Sequence, residues 1–170
     1  MVHNGPMKYD DAHHRKHTIW SVSTFILRVL IGLLLGATAV GKGLDPRGFA
    51  EVVGTYQVFP KPLWLPIAMV MIVVESVLAF MLLQGRRTRV GALASSALHM
   101  AFMIWAAMAL LRGLHIPNCG CFGVFLSRPL TWGTVGEDGF MVAVSLLLWW
   151  TARGSERRTN THGERASTDG

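Results

Sequence analysis

Charge is what this chain has least of. Only 15% of its 170 residues are Asp, Glu, Lys or Arg, while 51% are hydrophobic, and a soluble domain usually carries about a quarter charged residues. That deficit argues against an ordinary soluble globule and for a membrane. Acidic residues are scarcer than basic ones, 10 against 16, which gives a net charge of +6 and a pI of about 10.0. The basic residues flank apolar runs and do not line a face of a soluble fold, so the imbalance does not indicate nucleic acid. No long internal repeat is present, and the length suits one domain. Cysteine occurs only twice, at Cys119 and Cys121.

What the chain has is long apolar runs. Ile19–Gly41, Leu63–Gln84 and Val90–Leu111 each supply the roughly 20 residues a membrane-crossing helix needs. A fourth segment, Phe140–Ala152, is shorter and needs the upstream "LTWGTVGEDG" to complete a span. Trp20, Trp64, Trp149 and Trp150 near the ends of these runs suit the headgroup belt. The first run is too long for a signal-peptide core and contains Arg28, so it reads as uncleaved despite the Ala37-Thr38-Ala39 sequence. The expected fold is all-α: an integral membrane four-helix transmembrane bundle over residues 19–152. Polar tails at 1–18 and 153–170 flank it, the second disordered.

Lysine and arginine set the orientation. Lys8, Arg15, Lys16, Arg86, Arg87, Arg89, Arg153, Arg157, Arg158 and Arg165 fall on one side, against Lys42, Arg47, Lys61, Arg112 and Arg128 on the other. The positive-inside rule then makes both termini cytoplasmic and turns the cysteine loop toward a periplasm or its equivalent. The stretch "LHIPNCGCFGVF" accordingly faces the oxidising outer side, where disulfides persist. Ile116-Pro117-Asn118 ends the third span. A Cys-Gly-Cys pair closes a very small ring, the glycine supplying backbone freedom, and such a bridge suits exchange better than stapling. A redox-active pair, static cysteines, and soft metal ligation with His115 all remain open at this level. No fourth ligand at zinc-finger spacing accompanies the metal reading, and none of the three tail histidines, His13, His14 and His17, has a core to hold it.

A second constellation lies inside the spans. Arg28, Glu75 and His99 each sit roughly 14–15 Å from the cytoplasmic side at 1.5 Å per residue. A lone charge at such depth costs at least about 2.5–3.5 kcal/mol, so an inward-facing Arg28–Glu75 ion pair is expected, with His99 extending it or bonded elsewhere. Its role is either to fix helix register or to form a proton path or polar pocket. Gly32 and Gly36 make a GxxxG pair, and the third span is rich in small residues, so close packing is expected. Asp45 and Pro46 read as cap and first-turn residue of a short outer-surface helix with Phe49, Val52, Val53 and Tyr56 on one face, following Lys42. That helix either roofs the bundle on the outer surface or is a plain amphipathic connector.

Taken together, "RVLIGLLLGATAVGKGLDPRGFAEVVGTYQVFP", "VVESVLAFMLLQGRRTRVGA" and "LRGLHIPNCGCFG" before a last apolar segment resemble the MauE family of methylamine utilisation membrane proteins, within the DoxX-like group of four-helix membrane proteins. The likeness spans Phe25–Ala152 and includes the arginine, Gly41-Lys42, Phe49, Tyr56, Glu75 and the CGCFG run. The resemblance implies a role in maturing periplasmic redox proteins of the bacterial inner membrane's outer side, in particular processing, transport or disulfide formation of the methylamine dehydrogenase small subunit. The implied partner is a disulfide-rich or thioredoxin-like periplasmic protein, because no thioredoxin-like domain follows Ala152. In this reading Cys119 and Cys121 exchange a disulfide, His115 favours the thiolate, and a membrane quinone is the acceptor if electrons move onward. The rival readings are a non-catalytic assembly subunit and a small-solute or ion transporter built on Arg28, Glu75 and His99, with homo- or hetero-oligomers expected of so small a chain.

Overall fold

The computed structural model describes the backbone of residues 7–168 and the side chains of residues 21–153. The described chain is helical: α1 (Met7–Gly43), α2 (Pro46–Thr55), a 3-10 turn (Lys61–Leu63), α3 (Trp64–Gln84), α4 (Thr88–Leu111) and α5 (Trp132–Thr168). α2 starts where the sequence places it. Asp45 Oδ1 accepts the Gly48 N–H at 2.9 Å, and Pro46 fills the first turn, where a missing N–H is harmless.

α1 and α3 run antiparallel, and glycines set how closely. A Cβ on Gly32 would lie 3.0 Å from Leu83 Cγ, one on Gly36 3.8 Å from Ala79 Cβ, and Gly43 falls opposite Ile72. The GxxxG pair is therefore the α1–α3 seam, as close helix approach in lipid requires. α4 turns its small residues inward, burying Gly91, Ala92, Ser95, Ser96, Ala106 and Ala109. It pairs antiparallel with α5, with Gly139 against Met103 at one end and Leu148 clustered with Ala92 at the other. All four long helices meet in one core of Ile31, Leu35, Leu78, Ala79, Leu82, Ala92 and Leu148. On the outside, Phe25, Leu30, Leu33, Val70, Val77, Phe80 and Ile104 are each at least half exposed, an apolar girdle suited to lipid.

Three described helices are long and apolar enough to cross a membrane: Ser21–Gly43, Lys61–Gln84 and Thr88–Leu111. The described residues form an all-helical membrane protein with five α-helices, four long ones and the short α2, and three of the four expected spans have the length and hydropathy of a crossing. α5 falls short of the other three because Glu137 and Asp138 interrupt its apolar stretch at one end and Arg153 at the other. Backbone helix begins at Met7 and continues to Thr168. The side chains of His13, His14 and His17 lie outside those described.

The fully buried Leu82 and the lipid-facing Phe80 give a direct check on this packing. Leu82→Ala should cost about 2–5 kcal/mol through its cavity, and Phe80→Ala far less. Thermal unfolding of both variants in detergent measures the difference.

Candidate functional site

The cysteines sit in a braced turn. Ile116 and Leu130 approach as neighbouring backbones, with Leu130 N–H donating to Ile116 O at 2.9 Å and Cys119 N–H donating to Arg128 O at 2.8 Å. The four residues Gly120–Gly123 then reverse the chain, Gly123 N–H donating to Gly120 O at 3.1 Å. Asn118 clamps both ends: its Oδ1 accepts from Gly120 N–H at 2.9 Å and its Nδ2 donates to Gly123 O at 3.1 Å. Gly120 and Gly123 have φ of 78° and 73°, a region that favours glycine.

That turn is docked on two helices. A Cβ on Gly41 of α1 would lie 2.6 Å from the Phe122 carbonyl oxygen, and a Cβ on Gly123 would strike the Gly41 carbonyl. On the other side Gly120 rests on Phe49 and Val52 of α2, where a Cβ would come within 3.1 Å of Phe49 and 2.9 Å of Val52. Tyr56 completes the hold by donating its hydroxyl to the Cys119 carbonyl at 2.8 Å. Its ring meets Trp105 edge-on at 5.7 Å, and Arg112 donates to its carbonyl at 3.1 Å. The Cys119 and Cys121 sulfurs lie 2.8 Å apart, Cys119 being 8% exposed and Cys121 more open.

Beneath the turn is a cavity of about 550 Å³. Both cysteines, Phe49 and Tyr56 line it, and so do Thr38, Lys42, Glu75, His99 and Asp138. The two constellations read separately from sequence are thus one site. Its polar centre is an ion pair between Lys42 and Glu75, 3% and 1% exposed, with Thr38 Oγ1 donating to the other carboxylate oxygen of Glu75 at 3.1 Å. Lys42 also lies over the rings of Phe49 and Phe102, at 5.5 and 5.3 Å. His99 Nδ1 lies 2.8 Å from the Ser95 carbonyl. Since a carbonyl only accepts, the ring hydrogen is assigned to Nδ1 and Nε2 is left as an acceptor.

The expected Arg28–Glu75 pair does not form. Arg28 packs at Gly85, the end of α3, with its guanidinium over the Phe25 ring at 5.2 Å. Depths counted from hydropathy boundaries placed both residues in one layer. The glycine-set seam instead shifts α1 along α3, so that Glu75 faces Thr38 and Lys42. His115 is exposed and does not line the cavity. The cation that acts on Cys119 is Arg128. Among the described residues no three His, Cys, Asp or Glu side chains are placed to hold a metal. The sequence places Lys42 with the outer connection and the family pattern, and does not mark Thr38, Arg128, Trp105 or Asp138 as site residues. The available signal was the Thr38–Lys42 spacing, four residues apart on one helix face.

The two thiols differ. The hydrogen bond from Cys121, the Cys121 backbone N–H and the positive charge of Arg128 hold the Cys119 thiol down at about 6, against the opposing effect of burial. The same sulfur-to-sulfur bond and burial push Cys121 up. Burial and the neighbouring cysteines push the Tyr56 phenol up, so it stays a hydroxyl donor. At neutral pH the pair therefore holds a thiolate at Cys119 and a proton at Cys121.

Residues 20–151 match the family model described as methylamine utilisation protein MauE. The chain belongs to the MauE family. It is similar to the methylamine utilization protein MauE of Paracoccus denitrificans, with 31% identity over 122 residues. That match covers 72% of this chain and 66% of the relative, a little under two thirds of the relative's length. No solved structure matches it. In this MauE-family chain the matched residues contain the whole cavity, from Leu34 to Met141.

Two measurements follow from the geometry. Alkylation of Cys119 by a small iodoacetamide should rise through a midpoint near pH 6, because the thiolate is the nucleophile. Arg128→Gln removes a stabilising positive charge, so the midpoint should move up and the rate at pH 6 fall about twofold, a modest effect for an exposed charge. Lys42→Met should destabilise by about 3–5 kcal/mol by stranding the buried Glu75 carboxylate. The double variant with Glu75→Met should recover most of that in detergent melting.

Proposed function

We propose that this protein is a membrane thiol–disulfide exchange factor that supports disulfide formation in a partner outside the membrane, within methylamine utilisation machinery. Family membership supports the methylamine connection, and the relative's name carries the same words. The observation that carries the exchange reading is the braced Cys119–Cys121 turn, with adjacent sulfurs and an unequal pair of thiols at the wall of a cavity. Static cysteines need no such asymmetry. In this reading α5 completes a fourth crossing, both termini are cytoplasmic, and the turn faces outward as the basic-residue bias requires.

The exchange proceeds in two balanced steps. A thiolate of a disulfide-rich or thioredoxin-like partner attacks Cys121 Sγ in the closed pair, the sulfur of the more exposed residue. The Cys119–Cys121 bond breaks, and Cys119 leaves as thiolate, the better leaving group because its pKa is lower. The partner's second thiolate then attacks its own sulfur in the mixed disulfide, forming the partner's disulfide and releasing Cys121. Two electrons pass from the partner dithiol to the Cys119–Cys121 pair. Arg128 and the Cys121 N–H stabilise the departing charge, and Tyr56 and Asn118 hold the turn in place.

Thiol trapping in spheroplasts poised with glutathione buffers tests this. The pair should titrate reversibly from outside, within the range of catalytic oxidoreductases at about −270 to −120 mV. A glutathione adduct should map to Cys121. Thiols that stay reduced, or a bridge that resists strong reductant, would sink the mechanism. Retained maturation in the Cys119→Ser/Cys121→Ser variant would favour a non-catalytic assembly role. Loss on Glu75→Gln with the cysteines dispensable would favour transport through the Lys42–Glu75 cavity.

A further inference from the structure

Arg28 is a cation on a lipid-facing stretch of α1, and the fold gives it no counter-charge. It lies roughly 10 Å inside the Ser21–Gly43 span at 1.5 Å per residue. Val22, Phe25 and Ile26 before it and Leu30 and Leu33 after it are each at least half exposed, so apolar surface suited to lipid flanks the charge on both sides. A cation in such a setting is costly unless it is paired. The described carboxylates, Asp45, Glu51, Glu75, Glu137 and Asp138, belong to the cavity or to the end of the bundle that carries the cysteine turn. Among the described residues no ion pair reaches Arg28.

The guanidinium is nevertheless held in one place. It lies over the Phe25 ring at 5.2 Å and against the backbone of Gly85, where a Cβ would overlap its Nη1. Gly85 closes α3 with φ of 73°, and a helix C-terminus favours a cation, though with only a fraction of a unit charge. The long arginine stem thus brings the charge to the level where α3 ends. More positive charge gathers there. Arg86 and Arg87 follow Gly85 directly and are exposed, and Arg153 of α5 stacks on the Trp149 ring at 3.5 Å. Leu27, Leu82 and Trp149 meet in one core cluster, which brings α1, α3 and α5 together at this end. Arg86, Arg87 and Arg153 likewise have no ion pair among the described residues.

Arginines stacked on rings, with unshared N–H forks at the edge of an apolar girdle, match a phosphodiester. The fork donates two parallel hydrogen bonds to phosphate oxygens, and the ring behind it fixes its plane. Phe25 and Phe80, 57% and 62% exposed, offer apolar surface beside it for acyl chains. A net negative headgroup is required, since a zwitterionic lipid brings its own cation. We infer that the end of the bundle opposite the cysteine turn, at Arg28, Gly85–Arg87 and Arg153, binds the phosphate of an anionic phospholipid. The site is independent of the exchange reading.

Native mass spectrometry of the full-length protein in detergent, titrated with phosphatidylglycerol or phosphatidylcholine, tests this. Phosphatidylglycerol should stay bound at concentrations where phosphatidylcholine does not. Arg28→Gln should weaken that binding about fivefold, the effect of one arginine near an anionic headgroup. Arg86→Gln/Arg87→Gln changes only exposed side chains, so it folds even if Arg28→Gln does not, and it should weaken binding at least as much. Arg47→Gln, an exposed arginine of α2, should leave binding unchanged. Glycerol phosphate, a headgroup without acyl chains, should not displace the lipid. Equal retention of the two lipids, unchanged binding in Arg86→Gln/Arg87→Gln, or an equal loss in Arg47→Gln would overturn the inference. Displacement by glycerol phosphate would also overturn it, assigning the arginines to a soluble anion.

Discussion

A lysine ammonium buried in a membrane helix needs a counter-charge, and Lys42 finds it in Glu75 of α3. The rest of the site is arranged around that pair. From one position at the end of α1, Lys42 touches Glu75 of α3, Phe49 of α2 and Phe102 of α4. Its backbone nitrogen adjoins Gly123 of the cysteine turn. The cation fixes the α1–α3 register, draws α2 over the cavity and sets the floor on which the thiols rest. Glycine seams allow the helices to approach, but a seam of small residues permits several registers. A buried ion pair with Thr38 as third member is satisfied in one of them.

The cysteine turn depends on the same junction for a different reason. Its chemistry requires two sulfurs to stay adjacent while one carries charge and the other a proton. A free loop would average that asymmetry away. Here Asn118, Tyr56, the Arg128 backbone and the glycine contact with Gly41 remove the alternatives. Electrostatic asymmetry then follows from position: Cys119 accepts the hydrogen bond of Cys121 and a backbone N–H and feels the Arg128 charge, while that same hydrogen bond keeps the proton on Cys121. The thiols and the intramembrane pair line one cavity.

Much of this is legible in the sequence. Apolar runs near 20 residues place three membrane helices, Asp45-Pro46 starts α2, the GxxxG pair marks a close seam, and Cys119 and Cys121 stand out by rarity. These signals are local, arising from hydropathy, capping geometry and composition, and they depend on nothing distant in the chain. The partner of Glu75 was misread because depth along a hydropathy run gives no lateral register between helices. Arg28 looked level with Glu75 by counting, yet it packs at Gly85, the end of α3.

The sequence by itself determined the elements, the family resemblance and the residues capable of the chemistry, because periodicity and residue type are written in the chain. Tertiary structure alone decided the associations among them. Lys42 rather than Arg28 neutralises Glu75, Arg128 rather than His115 acts on Cys119, and the outer turn and the inner charge open into one cavity. The physical reason is that contacts between residues 33 to 63 positions apart, such as Lys42 with Glu75 or Tyr56 with Cys119, are set by how helix faces interlock. Interlocking depends on shape and on the cost of stranding buried charge, which no single segment carries.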